Sequence, residues 1–376
     1  MKSYGVGIIG AGFMGKTHTY GYVNIPLFYD GLPFKIRLVG ICNRTLSKAE
    51  RLRDNFGFEF ATSNYKDLLE RKDIDIIDIC TPNDVHHEQI IASINSGKNL
   101  YVDKPLCITN EEADEIVEVV NKSRIIHQIA FNMRFYPAIK RLKMLINEGF
   151  LGEPISYRVT YYHASNLNPR VSRGWRQDIK RSGGGVLFDM GSHALDITYY
   201  LLGRFKKLSM ESTILFPERL DDNGKPVKVE TEDHVIINAK MENGARGTVE
   251  VSKVILGSND DLNIEIYGTR GAVRFNTMNP NYLYIYDSRN ESEPIGGKRG
   301  YTAVETVNKD PDSTSKFPGP RFPIGWLRAH IACHYNFLKN LHEGKQAIPS
   351  LIDGAYIQKI MNALYRVNNK EEWVFV

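Results

Sequence analysis

The chain has 376 residues, 42% of them apolar and 24% charged, a composition that marks an ordinary globular protein long enough for two domains. Its formal net charge of +4 is spread along the length with no basic block, which gives no support to nucleic-acid or membrane-surface binding. No run nears the roughly 20 apolar residues of a membrane span, so no membrane partner is expected.

The opening MKSYGVGIIGAG has no charged leader before a long apolar stretch and no small-residue cleavage site, and the expected location is the cytoplasm. Four cysteines (Cys42, Cys80, Cys107, Cys333) lie far apart without a C-x-x-C pair. Cys42 and Cys80 fall inside apolar runs and read as reduced, buried thiols.

The first third alternates strand-like and helix-like segments. Runs 4–10, 34–42, 73–80, 99–103 and 125–131 read as short buried strands, with helices near 13–24, 46–56, 64–71, 84–96 and 109–122. Strands separated by helices imply right-handed crossovers and a parallel sheet covered on both faces.

GAGFMG places Gly10, Gly12 and Gly15 after the first strand and at the start of a helix, the context a dinucleotide turn requires. Gly10 permits the tight turn, Gly12 lets backbone approach a pyrophosphate, and Gly15 lets helix pack on strand. Phe13 and Met14, between them, join the candidate cofactor contacts.

At the end of the second strand, ICNRTLSK has Asn43 where an acid would select the ribose 2′-hydroxyl of NAD. Arg44 follows, a group able to stack on adenine or pair with a 2′-phosphate, so NADP is expected over NAD; the alternative for Arg44 is a solvated helix start. Asn43 lies 28 residues after Gly15, longer than usual, and NIPLFYDGLPF (24–34) reads as an insertion.

CTPNDVHHEQI closes the third long strand, placing Thr81, Pro82 and Asn83 where ligands of open α/β sheets bind. His86 and His87 are adjacent and point apart, a poor metal pair; one, His86 being the candidate, is expected to touch cofactor and the other to be structural. No metal site is expected. LYVDKPL then puts Asp103, Lys104 and Pro105 at the next strand end. A lysine so placed reads alone as a solvated charge, or as a ligand group if its neighbours support it.

Past residue 131 the pattern changes. The helix YPAIKRLKMLINEG leads into EPISYRVTYYH, whose period-two alternation marks a strand with Ile155, Val159 and Tyr161 on one face. Asn243-Gly244 between two alternating runs signals a hairpin. LNIEIYGTRGAVRFN and YLYIYD add strands, and helices WLRAHIACHYNFLKNLHEG and LIDGAYIQKIMNALYRVNN follow. The expectation is a Rossmann doubly wound parallel sheet over 1–130 and an α+β domain on an open, largely antiparallel or mixed sheet over 131–376. Residues 290–325 lack periodicity and read either as a surface loop or as a lid or interface arm.

SGGGVLFDMGSHALD carries three glycines before Asp189 and His193, which share a face if the segment is helical. Together with the glycine turn, DKP, FNMRFYP (131–137) and IEIYGTRGAVRF (264–275), this segment makes nearly the whole chain resemble the family of glucose-fructose oxidoreductases and inositol dehydrogenases (Gfo/Idh/MocA). Family members usually carry Glu-Lys-Pro where this chain has Asp103.

The resemblance implies hydride transfer between the nicotinamide and a secondary alcohol or ketone carbon of a sugar, inositol or related cyclic polyol. His193 then fits the base that takes the hydroxyl proton. Asp189 would orient the imidazole or bond the neighbouring hydroxyl, and Lys104 would stabilise the alkoxide-like oxygen from a cleft between domains. Gly183, Gly184 and Gly185 would let backbone come close to ligand or cofactor. In HASNLNPRVSRGWRQD, Trp175 would stack on a pyranose face while Arg176, Asn166 and Asn168 bond hydroxyls; a polar surface loop is the alternative. Tyr162 and Arg134 are further substrate candidates, Arg134 with Tyr136 more for structure than chemistry. The resemblance also implies a homodimer or homotetramer through the C-terminal sheet. It leaves two other classes: a glycosidase that recycles bound cofactor and would show no net cofactor turnover, and a non-catalytic dinucleotide sensor, the latter argued against by Lys104, Asp189 and His193 together.

Overall fold

A computed structural model describes residues 1–307, 317–319 and 322–376. These described residues form two compact units: Met1–Asn132 with Phe317 and Leu327–Lys359, and 133–307 with the described part of Pro318–Trp326 and Ile360–Val376. The break expected after residue 130 lies two residues early. The expected second domain, 131–376, is not one piece, because 327–359 belongs with the first unit.

In the first unit β1 (Lys2–Ile9), β2 (Phe34–Cys42), β3 (Phe60–Thr62), β4 (Ile76–Ile79), β5 (Asn99–Val102) and β6 (His127–Ile129) pair in parallel in the order β3-β2-β1-β4-β5-β6. The run of isoleucines in β1 and β4 is buried on both faces, as a sheet covered on two sides demands. Strand order reverses between β1 and β4, which puts a ligand crevice at their carboxyl ends. At three residues, β3 is too short for a periodicity signal, and it was not expected.

The helices of this unit begin with α1 (Phe13–Phe28), α2 (Leu46–Phe56), α3 (Lys66–Glu70), α4 (His86–Asn95) and α5 (Asn110–Lys122). Helix α5 starts at a capping box in which Thr109 and Glu112 exchange hydrogen bonds. Helix α1 continues four residues past the expected end, with Pro26 inside it. Much of the supposed insertion is therefore helix, closed by Tyr29 stacked on Tyr335 at 3.6 Å.

The second unit contains α6 (Pro137–Asn147), α7 (Ile179–Ser182) and α8 (Ser192–Leu202). Its strands are β7 (Pro154–Tyr162), β8 (Phe205–Thr213), β9 (Glu218–Leu220), β10 (Pro226–Lys228), β11 (His234–Met241), β12 (Arg246–Ser252), β13 (Asp261–Gly268), β14 (Gly271–Asn276), β15 (Tyr282–Asp287), β16 (Tyr301–Glu305) and β17 (Val374–Phe375). Nine of them form one mixed sheet in the order β16-β15-β14-β13-β7-β12-β11-β8-β17, parallel only between β7 and β12. Asn243-Gly244 turns the β11–β12 hairpin, with Gly244 at φ 95°. In β7 the buried face is Tyr157, Val159 and Tyr161; Ile155, expected there, is 56% exposed beyond the packed part of the strand. Strand β16 lies inside the segment expected to be irregular, while 308–316 and 320–321 fall outside the described residues. The last helices are α9 (Trp326–Glu343) and α10 (Leu351–Arg366). No described helix is long and apolar enough to cross a membrane.

All four cysteines are buried thiols outside any disulfide, and burial pushes the Cys42 thiol up to about 12. A fully buried polar cluster joins α1, β4 and α9. Asp78 accepts a 2.8 Å hydrogen bond from His18 Nδ1, with Cys80 Sγ 3.0 Å from the same nitrogen and His334 Nε2 3.7 Å from the other oxygen of Asp78. Burial alone would lower His18, but Asp78 overrides it and the imidazole is raised above 6.5. Burial likewise favours protonated Asp78, yet His18 and then His334 hold it below 3.8; burial lowers His334. His18 is thus the charged partner and His334 the neutral one.

The stabilisation from His18 is complete below pH 6.5 and fades as pH rises through its raised value; that from Asp78 is complete above 3.8 and fades below it. Urea unfolding should show Asp78→Asn less stable by about 3–5 kcal/mol at pH 6, and should lose the decline that the wild type shows on going from pH 6.5 to 9. Equal pH profiles in the two proteins would refute the ion pair.

Candidate active site

The carboxyl ends of β2, β1, β4 and β5 are neighbours in the sheet, so Asn43, Gly10–Gly15, Thr81–Asn83 and Asp103–Pro105 share one edge. Gly10 sits at φ 113°, where a Cβ would lie 2.5 Å from the Cys80 carbonyl oxygen; a Cβ on Gly15 would strike the Gly10 carbonyl oxygen. At Gly12 a Cβ would meet nothing within 4 Å. Two glycines are therefore required by the protein's own backbone, and the third fronts open space at the N-terminus of α1. The first amides of that helix have no partner within it, and their partial positive charge suits an anion. These residues fit the pyrophosphate of a dinucleotide. Phe13 is 69% exposed beside this turn and Met14 half-buried.

Two side chains expected to touch cofactor also brace this edge. Asn43 Oδ1 accepts from the Ala11 amide at 3.2 Å and its Nδ2 donates to the Thr45 carbonyl at 3.0 Å, which engages both ends of the carboxamide. His86 is fully buried, Nδ1 2.9 Å from the Pro105 carbonyl oxygen and Nε2 2.9 Å from that of Thr81. It joins the ends of β4 and β5 and is the structural one of the histidine pair, while His87 meets Glu115 on the surface. Arg44 is exposed just beyond β2. Thr81 donates to Gln89, Pro82 is half-buried, and Asn83 is buried. Asp103 is buried and accepts from the Lys104 amide at 2.9 Å, which fixes the backbone of the half-buried lysine; the Lys104-Pro105 bond is cis.

In the second unit the glycine run serves a different neighbour from the one expected. Gly183 is left-handed at φ 78° and ends α7. A Cβ on Gly184 would lie 2.2 Å from the Tyr365 hydroxyl, and one on Gly185 2.2 Å from the Glu232 carbonyl oxygen. Glu232 and Tyr365 approach the backbone here. The Glu232 carboxylate accepts from the amides of Gly185 and Leu187 and from the Tyr365 hydroxyl, while its carbonyl accepts from Val186. Burial pushes this carboxyl up, opposed by those hydrogen bonds. Sequence reading missed Glu232; an acid in TEDHVI, next to a strand, carried no motif.

Residues Leu187–Gly191 then form one π-helical turn before α8. The change of helix type falls between Asp189 and His193, so their four-residue spacing does not stack them as a regular α-helix would. His193 is 7% exposed with its ring edge-on to Tyr161 at 6.3 Å. Asp189 is 2.5 Å from Lys253 Nζ and 3.4 Å from Arg176 Nε. Lys253 was also missed: it follows β12 in VSKVIL as one apparent surface charge, yet its side chain is 9% exposed.

Other substrate candidates are engaged elsewhere. Arg134 makes a buried two-pronged pair with Asp196 at 2.8 and 2.5 Å, which withdraws it from substrate binding. The Tyr162 phenol is pushed up by burial and then by a hydrogen bond to Glu250 on the open side of the sheet. Trp175 carries the Arg176 guanidinium over its ring at 4.6 Å. Asn166 donates to Asp233, and Asn168 accepts from the Arg170 amide; the Arg219 guanidinium ties the backbone of both. Among the described residues the one cluster with metal-ligand spacing is His18, Asp78 and Cys80, already joined by hydrogen bonds in the core.

Residues 4–131 match the oxidoreductase family with an NAD-binding Rossmann fold, and residues 139–274 match the GFO/IDH/MocA C-terminal domain. The chain is 32% identical to levoglucosan dehydrogenase of Pseudarthrobacter phenanthrenivorans, over 100% of this chain and 99% of that protein. A solved structure of levoglucosan dehydrogenase with NADH and levoglucosan superposes at a TM-score of 0.95, with 32% identity and the same coverage. The scyllo-inositol 2-dehydrogenase (NAD+) of Bacillus subtilis is 28% identical over 77% of this chain and 78% of its own. The glycine cradle with its open face at Gly12 and the match along the full length agree: this chain belongs to the Gfo/Idh/MocA family of NAD-binding oxidoreductases.

Proposed function

We propose that the protein interconverts a secondary alcohol and a ketone on a cyclic sugar or polyol, with NADP(H) as coenzyme. The observation that carries the substrate class is the end-to-end similarity to a dehydrogenase solved with NADH and levoglucosan. When bound, the nicotinamide supplies the acceptor for hydride. His193, nearly buried and on a helix fixed at its start, takes the hydroxyl proton. Lys104, its backbone held by Asp103, stabilises the negative oxygen that develops. Asp189, held by two cations, accepts a hydrogen bond from a substrate hydroxyl. Arg176, paired with this carboxylate, offers a sugar a donor, and Trp175, which carries Arg176 on one face, offers its other face.

Support for NADP comes from the end of β2, where the ribose-selecting position holds Asn43 in place of a carboxylate and Arg44 is exposed. The relatives solved with NADH mark NAD as the coenzyme to compare it with. We infer further that the chain forms a homo-oligomer through the open face of its nine-stranded sheet, where Arg158, Glu250, Glu265 and Tyr267 lie opposite the buried residues. Light scattering at a single-chain mass would overturn that.

Absorbance at 340 nm with levoglucosan, inositols and aldoses should show reduced coenzyme accumulating with at least one. Tight coenzyme binding with silence across the panel would overturn the proposal. Lys104→Ala should lower turnover on the order of 10²-fold while coenzyme Kd is kept; near-normal turnover would remove the lysine from the chemistry. For the ribose end, Arg44→Ala should weaken NADP about tenfold or more in fluorescence titration and leave NAD unchanged. Equal effects on the two coenzymes would mean that Arg44 does not meet the phosphate.

A further inference from the structure

Lys253 is an ammonium with its side chain 9% exposed, and its Nζ is 2.5 Å from Asp189 Oδ2. Burying an ammonium costs several kcal/mol unless it is paired, and Lys253 follows directly on β12, where an alternating strand would have tolerated an apolar residue. Its backbone is clamped on both sides: the amide donates to the Asp233 carbonyl at 2.9 Å, and its carbonyl accepts from Asn166 at 3.0 Å. Asp233 in turn accepts from the Asn166 side chain at 2.8 Å. The lysine is thus mounted rigidly, and the carboxylate it reaches remains partly open, with 25% of the Asp189 side chain exposed. A pair serving stability alone would gain from closing over both groups, as Arg134 and Asp196 do at 5% and 1% exposure.

We propose that Lys253 is a positioning residue for the reaction, holding the Asp189 carboxylate charged and aimed so that it accepts from a substrate hydroxyl. The inference rests on the proposed role of Asp189. Two cations reach that carboxylate, Lys253 after β12 and Arg176 from the turn before α7, and Tyr161 from β7 lies close enough to feel its charge, with the His193 ring of α8 edge-on to Tyr161. Burial, then Asp260 and finally Asp189 push the Tyr161 phenol far up, so it stays neutral. Arg176 stands farther off, at 3.4 Å and 43% exposed, where water screens it. Removing Lys253 therefore takes away the better-placed cation and favours the protonated acid.

The test compares wild type, Lys253→Met, Lys253→Arg, Asp189→Asn and the double variant on whichever sugar the panel identifies. Lys253→Met should lower kcat/KM on the order of 10²-fold, leave the coenzyme Kd unchanged, and move the acid limb of the pH profile upward by about one unit. Lys253→Arg should restore most of the loss and return the limb. In the Asp189→Asn background the lysine change should add less than about threefold, because both act through one group. A Lys253→Met enzyme within threefold of wild type, or one whose effect persists in full without Asp189, would overturn the proposal. If Lys253→Met does not fold, Lys253→Gln takes its place with the same expectations. Should the wild type turn over no sugar, the proposed function fails by itself. The 13C carboxylate resonance of Asp189, assigned by its loss in Asp189→Asn, then still decides: an unmoved titration in the Lys253 variant overturns the pairing.

Discussion

The carboxyl edge of a parallel sheet is a row of strand ends where the ladder stops, and here two side chains tie together the loops that leave it. His86 spans the carbonyls at the ends of β4 and β5, and Asn43 ties the turn after β1 to the loop after β2. Each joins adjacent strands across the place where the glycine turn must keep its shape. Loss of either would leave buried backbone groups unpaired, at a cost of about 1–3 kcal/mol each. The cradle is therefore a set of braced loops whose open point is Gly12.

The same logic recurs in the second unit with a carboxylate as the brace. Glu232 gathers the amides that a tight glycine run would otherwise leave without acceptors, and Tyr365 completes its shell. Glycine is required there because protein packs against it from two sides. Fixing that run fixes where the π-turn starts, and with it the direction from which Asp189 emerges.

Much of this was legible. Periodicity and the Asn243-Gly244 turn located most strands, and the G-x-G-x-x-G context located the cradle, because these signals are local. What was not legible was pairing over long sequence distance. Asn43, His86 and Arg134 have the chemistry of ligand contacts, and their partners, Ala11, Pro105 and Asp196, stand 32, 19 and 62 residues away. Lys253 and Glu232 carried no signal for the same reason. Helix α9 read as part of the second domain by its place in the chain, whereas its histidine stripe packs on the acid in β4. A three-residue strand and a Pro-containing helix end escaped because they fall below the length at which a pattern can repeat.

The π-turn of 187–191 lies between two anchors, Glu232 before it and the Arg134–Asp196 pair after it. A wider turn accommodates one residue more than regular α-helix would, and each residue of an α-helix rotates its successors by about 100°. Deleting one residue here would give a smoother helix and a worse protein: Asp196 would swing off the buried guanidinium, and His193 would swing with it. The extra residue works as a phase shifter, setting the angular offset between the segment stitched to Glu232 and the rest of α8. Length variation in this segment is thus closed to the chain.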